Sequence, residues 1–455
     1  MSRVFIVLGL GYGDEGKGSV IDHLTRLHSA SLIVRFNGGA QASHAVVTDD
    51  GRDHRFSQFG SGTFAGAKTF LSRYMLFNPS TLISEAKHLE FLGIEDPLSL
   101  VTLERSAIVT THFHMAANRI REMARTKRHG SCGMGIGETM EHSLKYPEGA
   151  FRVSDMAEES LIRLKMRSIR DYLAQEVEGL YRDQMNNPDM KREWNVLEDY
   201  DATLKVILRD YKRVVQKCSI VDNFWLSEKL RGGNTILFEG AQGVLLDQDY
   251  GFDPHTTWTD CTFGNAYKLL DGFQGDITKV GVLRGYMTRH GAGPLVTEDA
   301  SLTAPGEHNQ DNPWQQGFRL GHFDTILAKY ALRVVGGVHF LALTCLDHLQ
   351  GEIKSCIAYR SSVGRTLFDG LPLDNRPPRQ GTQRELGHVL GFLKPIYQTF
   401  PDLPSFVNHV EKELKTPVKL CSFGPKASDK GPRDSSYKGS SPPVVLPTMN
   451  PLVSG

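Results

Sequence analysis

Asp14, Lys17 and His44 are the residues of this 455-residue chain whose types and settings could act on a phosphate. Asp14, Glu15 and Lys17 lie inside one glycine-rich run, Gly9-Leu10-Gly11-Tyr12-Gly13-Asp14-Glu15-Gly16-Lys17-Gly18. Closely spaced glycines let the backbone take positive φ and leave its amides bare to a ligand. A carboxylate in such a loop can serve as a base or a metal ligand, and an ammonium can neutralise phosphate. The regular Walker A pattern is absent, because Lys17 is followed by Gly18 and not by Ser or Thr. A tight turn carrying surface charges is the plainer alternative, but a structural turn has no need of three charges. His44 ends a second run of small residues, Asn37-Gly38-Gly39-Ala40-Gln41-Ala42-Ser43. Taken alone, a histidine is as readily a surface or core residue.

The elements that must hold these groups are legible as periodicity. The apolar run Val4-Phe5-Ile6-Val7-Leu8 predicts a buried strand, and Ser19 onward predicts a helix. A strand, a glycine loop and a helix start aim free amides and the positive end of a helix at one point. Residues 30–36 read as a second strand and 45–47 as a third, so His44 falls at a strand end, where ligands of parallel sheets bind. Residues 56–63 form a further Gly/Ser stretch. A helix is expected over 80–93 with Ser80 as its cap, short strands at 101–103 and 107–109, and a helix over 115–126. Gly130 to Thr139 reads as a mobile glycine loop able to wrap an anion, or as a plain connection. Residues 156–230 read as a helical subdomain, with helices at 161–178 and 202–217 broken by Asn186-Asn187-Pro188-Asp189. Strands at 235–238, 280–283 and 339–344 each run into a polar loop. The pattern implies an α/β fold, a mostly parallel central sheet flanked by helices, with its site along one edge. From Lys426 onward the composition turns to Ser, Pro, Gly and Lys, so a catalytic domain over 1–425 and a disordered tail over 426–455 are expected.

Composition narrows the function classes. Lys+Arg and Asp+Glu balance at 52 each, which gives no basic field for nucleic acid. The N-terminal apolar run is too short for a signal peptide, and no run is long enough to span a bilayer. The six cysteines form no CxxC pair, which argues against a zinc site or disulfide framework. A cytoplasmic enzyme without membrane or nucleic-acid partners is the expectation.

Seven motifs in order resemble the adenylosuccinate synthetase family. They are Gly13-Asp14-Glu15-Gly16-Lys17-Gly18, the loop ending in His44, Glu239-Gly240-Ala241-Gln242-Gly243, Gly133-Met134-Gly135-Ile136-Gly137, Thr288-Arg289-His290-Gly291-Ala292-Gly293-Pro294, Arg319-Leu320-Gly321-His322-Phe323-Asp324, and Leu343-Thr344-Cys345-Leu346-Asp347. The resemblance implies a fold related to P-loop NTPases. It implies an NDP-forming carbon–nitrogen ligase of purine biosynthesis that joins a 6-oxopurine nucleotide, IMP, to L-aspartate, using GTP and Mg²⁺, in a homodimer. By resemblance Asp14 removes the purine N1 proton and binds the metal with Ser43, while His44 assists phosphoryl transfer and phosphate departure. Gly13, Glu15, Gly16, Lys17, Gly18, Ser43, Asp347, Ser422 and Gly424 would hold the triphosphate. Gln41, Cys132, Gln242 and Thr257 would hold the purine monophosphate, and Arg319 the carboxylates of aspartate.

The chain departs from the family in its recognition loops. Cys132 stands where the family has a phosphate-binding hydroxyl, and Met134 where it has Arg. Glu148 aligns with an Arg that the neighbouring subunit contributes. The Arg-rich aspartate loop becomes Asn312-Pro313-Trp314-Gln315-Gln316-Gly317-Phe318-Arg319, and Cys345 replaces the Lys beside the guanine. These changes fit a paralogue using (d)GMP with ATP or dATP, as in 2-aminoadenine synthesis, or another amine. A non-catalytic nucleotide sensor is the reading from a different class, and the retention of Asp14, Lys17 and His44 argues against it.

Overall fold

Val4, Ile6 and Leu8 join one hydrophobic cluster while Phe5 and Val7 join another. A strand apolar on both faces must lie inside a sheet covered on both sides. The computed structural model describes residues 2–126, 130–304, 307, 314, 317–361, 367–373 and 380–433. Its main sheet uses β1 (Arg3–Gly9), β2 (Leu32–Arg35), β3 (Lys68–Leu71), β4 (Val101–Glu104), β5 (Ser219–Val221), β6 (Thr235–Gly243), β7 (Asp276–Arg284), β8 (Phe340–Thr344), β9 (Val418–Ser422) and β10 (Lys430–Gly431). The spatial order is β10-β9-β8-β7-β1-β6-β2-β3-β4-β5. Every pairing is parallel except β9 with β10. The chain first builds to one side of β1 and then, from β7 on, to the other. A crevice therefore opens at the carboxyl end of β1, between strands whose connections diverge. The mostly parallel sheet expected from the sequence is what forms.

Helix α1 (Lys17–His28) covers one face, with Val20, Ile21 and Leu24 against Phe5 and Val7. A second core lies at the β3–β5 edge. It joins α2 (Pro79–Phe91), α3 (His112–Ala124), α5 (Glu159–Arg182), α6 (Pro188–Glu198) and α7 (Tyr200–Lys217). The region 156–230 is therefore not separate from the sheet: its helices share a core with α2 and α3, and β5 within it is the sheet's edge strand.

Several local expectations are corrected. The run Asn186-Asn187-Pro188-Asp189 starts a helix as well as breaking one: the Asn187 side chain accepts from the amides of Asp189 and Met190, and Pro188 opens α6. The cap of α2 is Asn78, which accepts from the Thr81 amide at 3.1 Å; Ser80 lies inside the helix. Residues 107–109 make only isolated bridges. The glycine loop after Gly130 is shorter than expected, because α4 (Ile136–Lys145) begins within it. β6 does not stop at Phe238 but runs through Gly243. A Cβ on Gly243 would sit 2.2 Å from the Gly11 carbonyl, so that glycine marks close backbone approach inside the sheet, not a loop. Finally, Lys426 does not begin the tail. Residues 427–431 form a short turn and β10, and Lys430 is buried, donating to the Lys426 carbonyl at 2.7 Å. The rest of the expected tail, 434–455, lies outside the described residues. Among the described residues no helix is long and apolar enough to cross a membrane.

Candidate active site

The glycine loop after β1 closes around its own glutamate. Glu15 Oε1 accepts from the Gly11 and Gly13 amides at 2.9 and 2.7 Å, and Glu15 Oε2 accepts from Lys17 Nζ at 2.9 Å. Lys17 also donates to the Gly13 carbonyl at 2.8 Å, and both side chains are buried. Glycine is required at Gly9, where a Cβ would fall 2.0 Å from Glu15 Oε2. Lys17 and Glu15 thus brace the loop from within, and neither lines the adjoining cleft. Gly18 lets α1 approach the next element, since a Cβ there would meet His44 Cβ at 2.8 Å.

With Glu15 turned inward, Asp14 is turned outward. Its Oδ2 accepts from His290 Nδ1 at 2.9 Å, its Oδ1 makes no hydrogen bond among the described residues, and its backbone carbonyl accepts from Arg284 Nε. Burial by itself would raise the Asp14 pKa. The His290 hydrogen bond and charge, with Arg284 and Lys17 nearby, outweigh it and hold the carboxyl below its ordinary range.

His44 is the first residue of a strand, His44–Val47, that pairs with Asp53–Phe56. Its Nδ1 lies 2.5 Å from Glu239 Oε1, at the middle of β6. Ser61 donates to the same carboxylate twice, from Oγ at 2.5 Å and from its amide at 2.9 Å. Arg35 stands opposite Glu239 in the β2–β6 register and is fully buried. Burial would raise Glu239; Arg35 and His44 reverse this and bring it down to about 2. Burial lowers His44, and the Glu239 contact restores only part. His44 is thus held as a neutral imidazole whose Nδ1–H points to Glu239, leaving Nε2 for a ligand.

Asp14 and His44 line one cleft of about 590 Å³, together with Gly13, Gln41, Ser43, Cys132, Gln242 and Thr257. Eight expected site residues therefore do come together. Gln242 reaches the cleft because it holds φ 55°, rare for a residue with a side chain, at the end of β6. Ser43 is exposed, while burial pushes the Cys132 thiol up to about 11, so it is no thiolate. Asp14 and Ser43 both bring hard oxygen atoms to the lining, donors of the kind that suits Mg²⁺ on phosphates. Among the described residues no group of three or more His, Cys, Asp or Glu forms a metal cage.

Other expected residues fall elsewhere. Gly16 meets the end of β8, where Thr344 Oγ1 donates to the Glu15 carbonyl at 2.6 Å. Cys345, at φ 56°, then turns the chain into the short Leu346–His348 turn, which packs on β9. Asp347, Ser422 and Gly424 gather there, beyond Gly16. Asp347 Oδ1 is buried with no hydrogen-bond partner among the described residues, and Ser422 Oγ donates to the Gly424 carbonyl at 3.0 Å. Arg319 does not line the cleft. It donates to the Gly291 and Gly293 carbonyls, both at 2.9 Å, and to Glu298 at 2.7 Å. Glu148 lies apart, in a second hollow of about 580 Å³ with Lys145, Tyr146 and Tyr172.

Sequence reasoning assigned no role to His290, Glu239, Arg35 or Arg284. His290 and Glu239 were inside quoted motifs, yet their pairing with Asp14 and His44 spans 276 and 195 residues of chain. No local pattern reports a contact of that range.

The family model for adenylosuccinate synthetase matches residues 6–430. Among solved structures, a fully ligated adenylosuccinate synthetase from Plasmodium falciparum superposes with a TM-score of 0.73 at 22% identity, over 95% of this chain and 100% of that one. The succinoaminodeoxyadenylate synthetase of cyanophage S-2L, bound to dGMP and with dATP as energy donor, superposes with a TM-score of 0.59 at 16% identity, over 96% of each chain. At these identities the two structures report a shared fold.

Proposed function

The chain belongs to the adenylosuccinate synthetase family, and from that premise we propose that it is an NTP-dependent carbon–nitrogen ligase acting on a 6-oxopurine nucleotide and L-aspartate. The observation that carries the reading is the convergence of Asp14 and His44 on one cleft, each held by a partner that fixes its orientation. The C6 oxygen of such a purine is a poor leaving group. Asp14 Oδ1, open to the cleft, takes the N1 proton, and the C6 oxygen attacks the γ-phosphorus of the triphosphate, releasing NDP. The negative charge of the bound phosphates raises His44, so that Nε2 takes up a proton and donates to the phosphoryl oxygens. The amine of aspartate then attacks C6, the C6–O bond breaks, phosphate departs, and the added nitrogen loses a proton. Bound Mg²⁺ would neutralise phosphate charge, held by Asp14 and Ser43.

Asp347 Oδ1, an unpartnered acceptor, fits the N–H edge of a guanine base near Gly16, with Ser422 and Gly424 completing the base pocket. Gln41, Cys132, Gln242 and Thr257 face the purine monophosphate. Arg319, spent on loop carbonyls and Glu298, contributes to aspartate binding through the loop it shapes.

The test is phosphate release over a grid of GTP, ATP and dATP against IMP, GMP and dGMP, with L-aspartate, Mg²⁺ and an Asp14→Ala control. Release with IMP and GTP is expected. Turnover only with a guanine monophosphate would move the protein to the 2-aminoadenine chemistry favoured by the altered loop at Cys132 and Met134. Release at the Asp14→Ala level in every combination would sink the ligase reading.

A further inference from the structure

His290 is a titratable group in the cleft for which the reaction above has no use, and it touches Asp14 directly. It ends a strand, Met287–His290, that pairs antiparallel with Phe318–Gly321. That ribbon is a rigid seat. Arg289 is buried under the Tyr12 ring at 4.1 Å and donates to the Ala292 and Pro294 carbonyls at 3.1 and 2.9 Å. Arg319 clamps Gly291 and Gly293 from the other strand. The imidazole packs on Phe318, with ring centroids 4.8 Å apart. A side chain locked in this way is pre-organised for contact with a ligand.

The hydrogen bond to Asp14 decides which ring nitrogen is available. An ionised carboxylate can only accept, so His290 Nδ1 carries the hydrogen, and Nε2 is the ring atom left for a ligand. Nε2 makes no hydrogen bond among the described residues, and His290 lines the same cleft as Asp14 and His44. We propose that His290 is a further catalytic residue: Nδ1–H fixes the Asp14 carboxylate, and Nε2 makes a hydrogen bond to a bound substrate. The inference rests on the ligase reading. Two substrates meet at the reacting centre in that reaction, the purine and the incoming amine.

The experiment uses the full chain and the variants His290→Ala and His290→Asn. Asn retains an N–H donor for Asp14 but has nothing at the place of Nε2. Complete turnover is followed by phosphate release. Phosphoryl transfer alone is followed without aspartate, by scrambling of oxygen-18 between the β,γ-bridge and the β-nonbridge positions of the triphosphate. His290→Ala is expected to lower kcat about 100-fold with KM for the triphosphate unchanged. His290→Asn is expected to recover only about tenfold of that loss. Scrambling that falls together with turnover assigns the contact to the purine, and scrambling that survives assigns it to the amine; either supports the proposal. Wild-type rates in His290→Ala, or complete rescue by His290→Asn, would overturn it while leaving the ligase intact. A wild-type protein silent in both assays would remove the ligase reading and this inference with it.

Discussion

Asp14–His290 and His44–Glu239 are the same two functional groups set in opposite order. In the proposed reaction the carboxylate of the first pair carries the chemistry and the imidazole braces it, with the roles exchanged in the second; the first pair stays partly open, at 20% and 14% exposure. The second pair is closed, at 7% and 0%. Behind Glu239 stand Ser61 and the buried Arg35; behind His290 stands only the ring of Phe318. A charge in contact with water and ligands can be removed at small cost to the fold. A charge enclosed by an arginine and an imidazole is part of the core.

That contrast can be broken by mutation, most severely at Glu239. Glu239→Gln leaves Arg35 buried without its counter-charge, and about 3–5 kcal/mol of stability should be lost, read as a fall in the urea midpoint. Turnover should fall with it, because an uncharged amide is a weaker acceptor for His44 Nδ1–H and its NH2 cannot accept from Ser61. An unchanged midpoint would mean that the pair is no deeper in effect than Asp14–His290.

The pH dependence of stability should separate the pairs next. Glu239 is brought down to about 2 in the fold against its ordinary 4.5. As pH falls below 4.5 the unfolded chain takes up this proton first. The stabilisation is therefore complete above pH 4.5 and is lost as pH falls towards 2, to the extent of about 3 kcal/mol. Burial lowers His44 from 6.5, which adds acid destabilisation of the same sign. The difference between wild-type and Glu239→Gln unfolding free energies across this range measures the effect, and a constant difference would refute it.

Asp14→Asn should act in the opposite sense on the two readouts. Loss of the base should cost about 100-fold or more in kcat, while the melting temperature stays within a few degrees. A large drop in melting temperature would show that the open pair is structural. The smallest effect is expected from Ser61→Ala, which removes one hydroxyl donor from Glu239. About 1 kcal/mol of stability should go, with a matching modest fall in kcat and no change in KM for the triphosphate.

Much of the frame could be read directly from the chain. The run Val4-Phe5-Ile6-Val7-Leu8 had no reading other than a buried strand, and Asp14, His44, Gln41 and Gln242 were placed on polar loops that do meet in one cleft. The misreadings have physical causes. Gly240 and Gly243 were taken for a loop, but β6 needs them because Leu8 and Gly11 approach too closely for any Cβ. Asn187 and Pro188 signal both the end of one helix and the start of the next, and only the packing of α6 on α3 selects the second. Lys430 looked like tail composition, yet it caps the carbonyls after Gly424.

The sequence by itself determined strands β1, β2, β4, β6, β7 and β8, the glycine loop and the residue types able to handle a phosphate, because these depend on neighbours in the chain. Only the tertiary structure decided which charge does what. Glu15 and Lys17 lie beside Asp14 in the sequence, yet the loop folds them inward as its brace. Asp14 is left facing His290, and His44 is tied to Glu239 on β6, 195 residues further along the chain. The strength of a charge pair depends on distance and on exclusion of water, and both are set by strands brought together from distant parts of the chain.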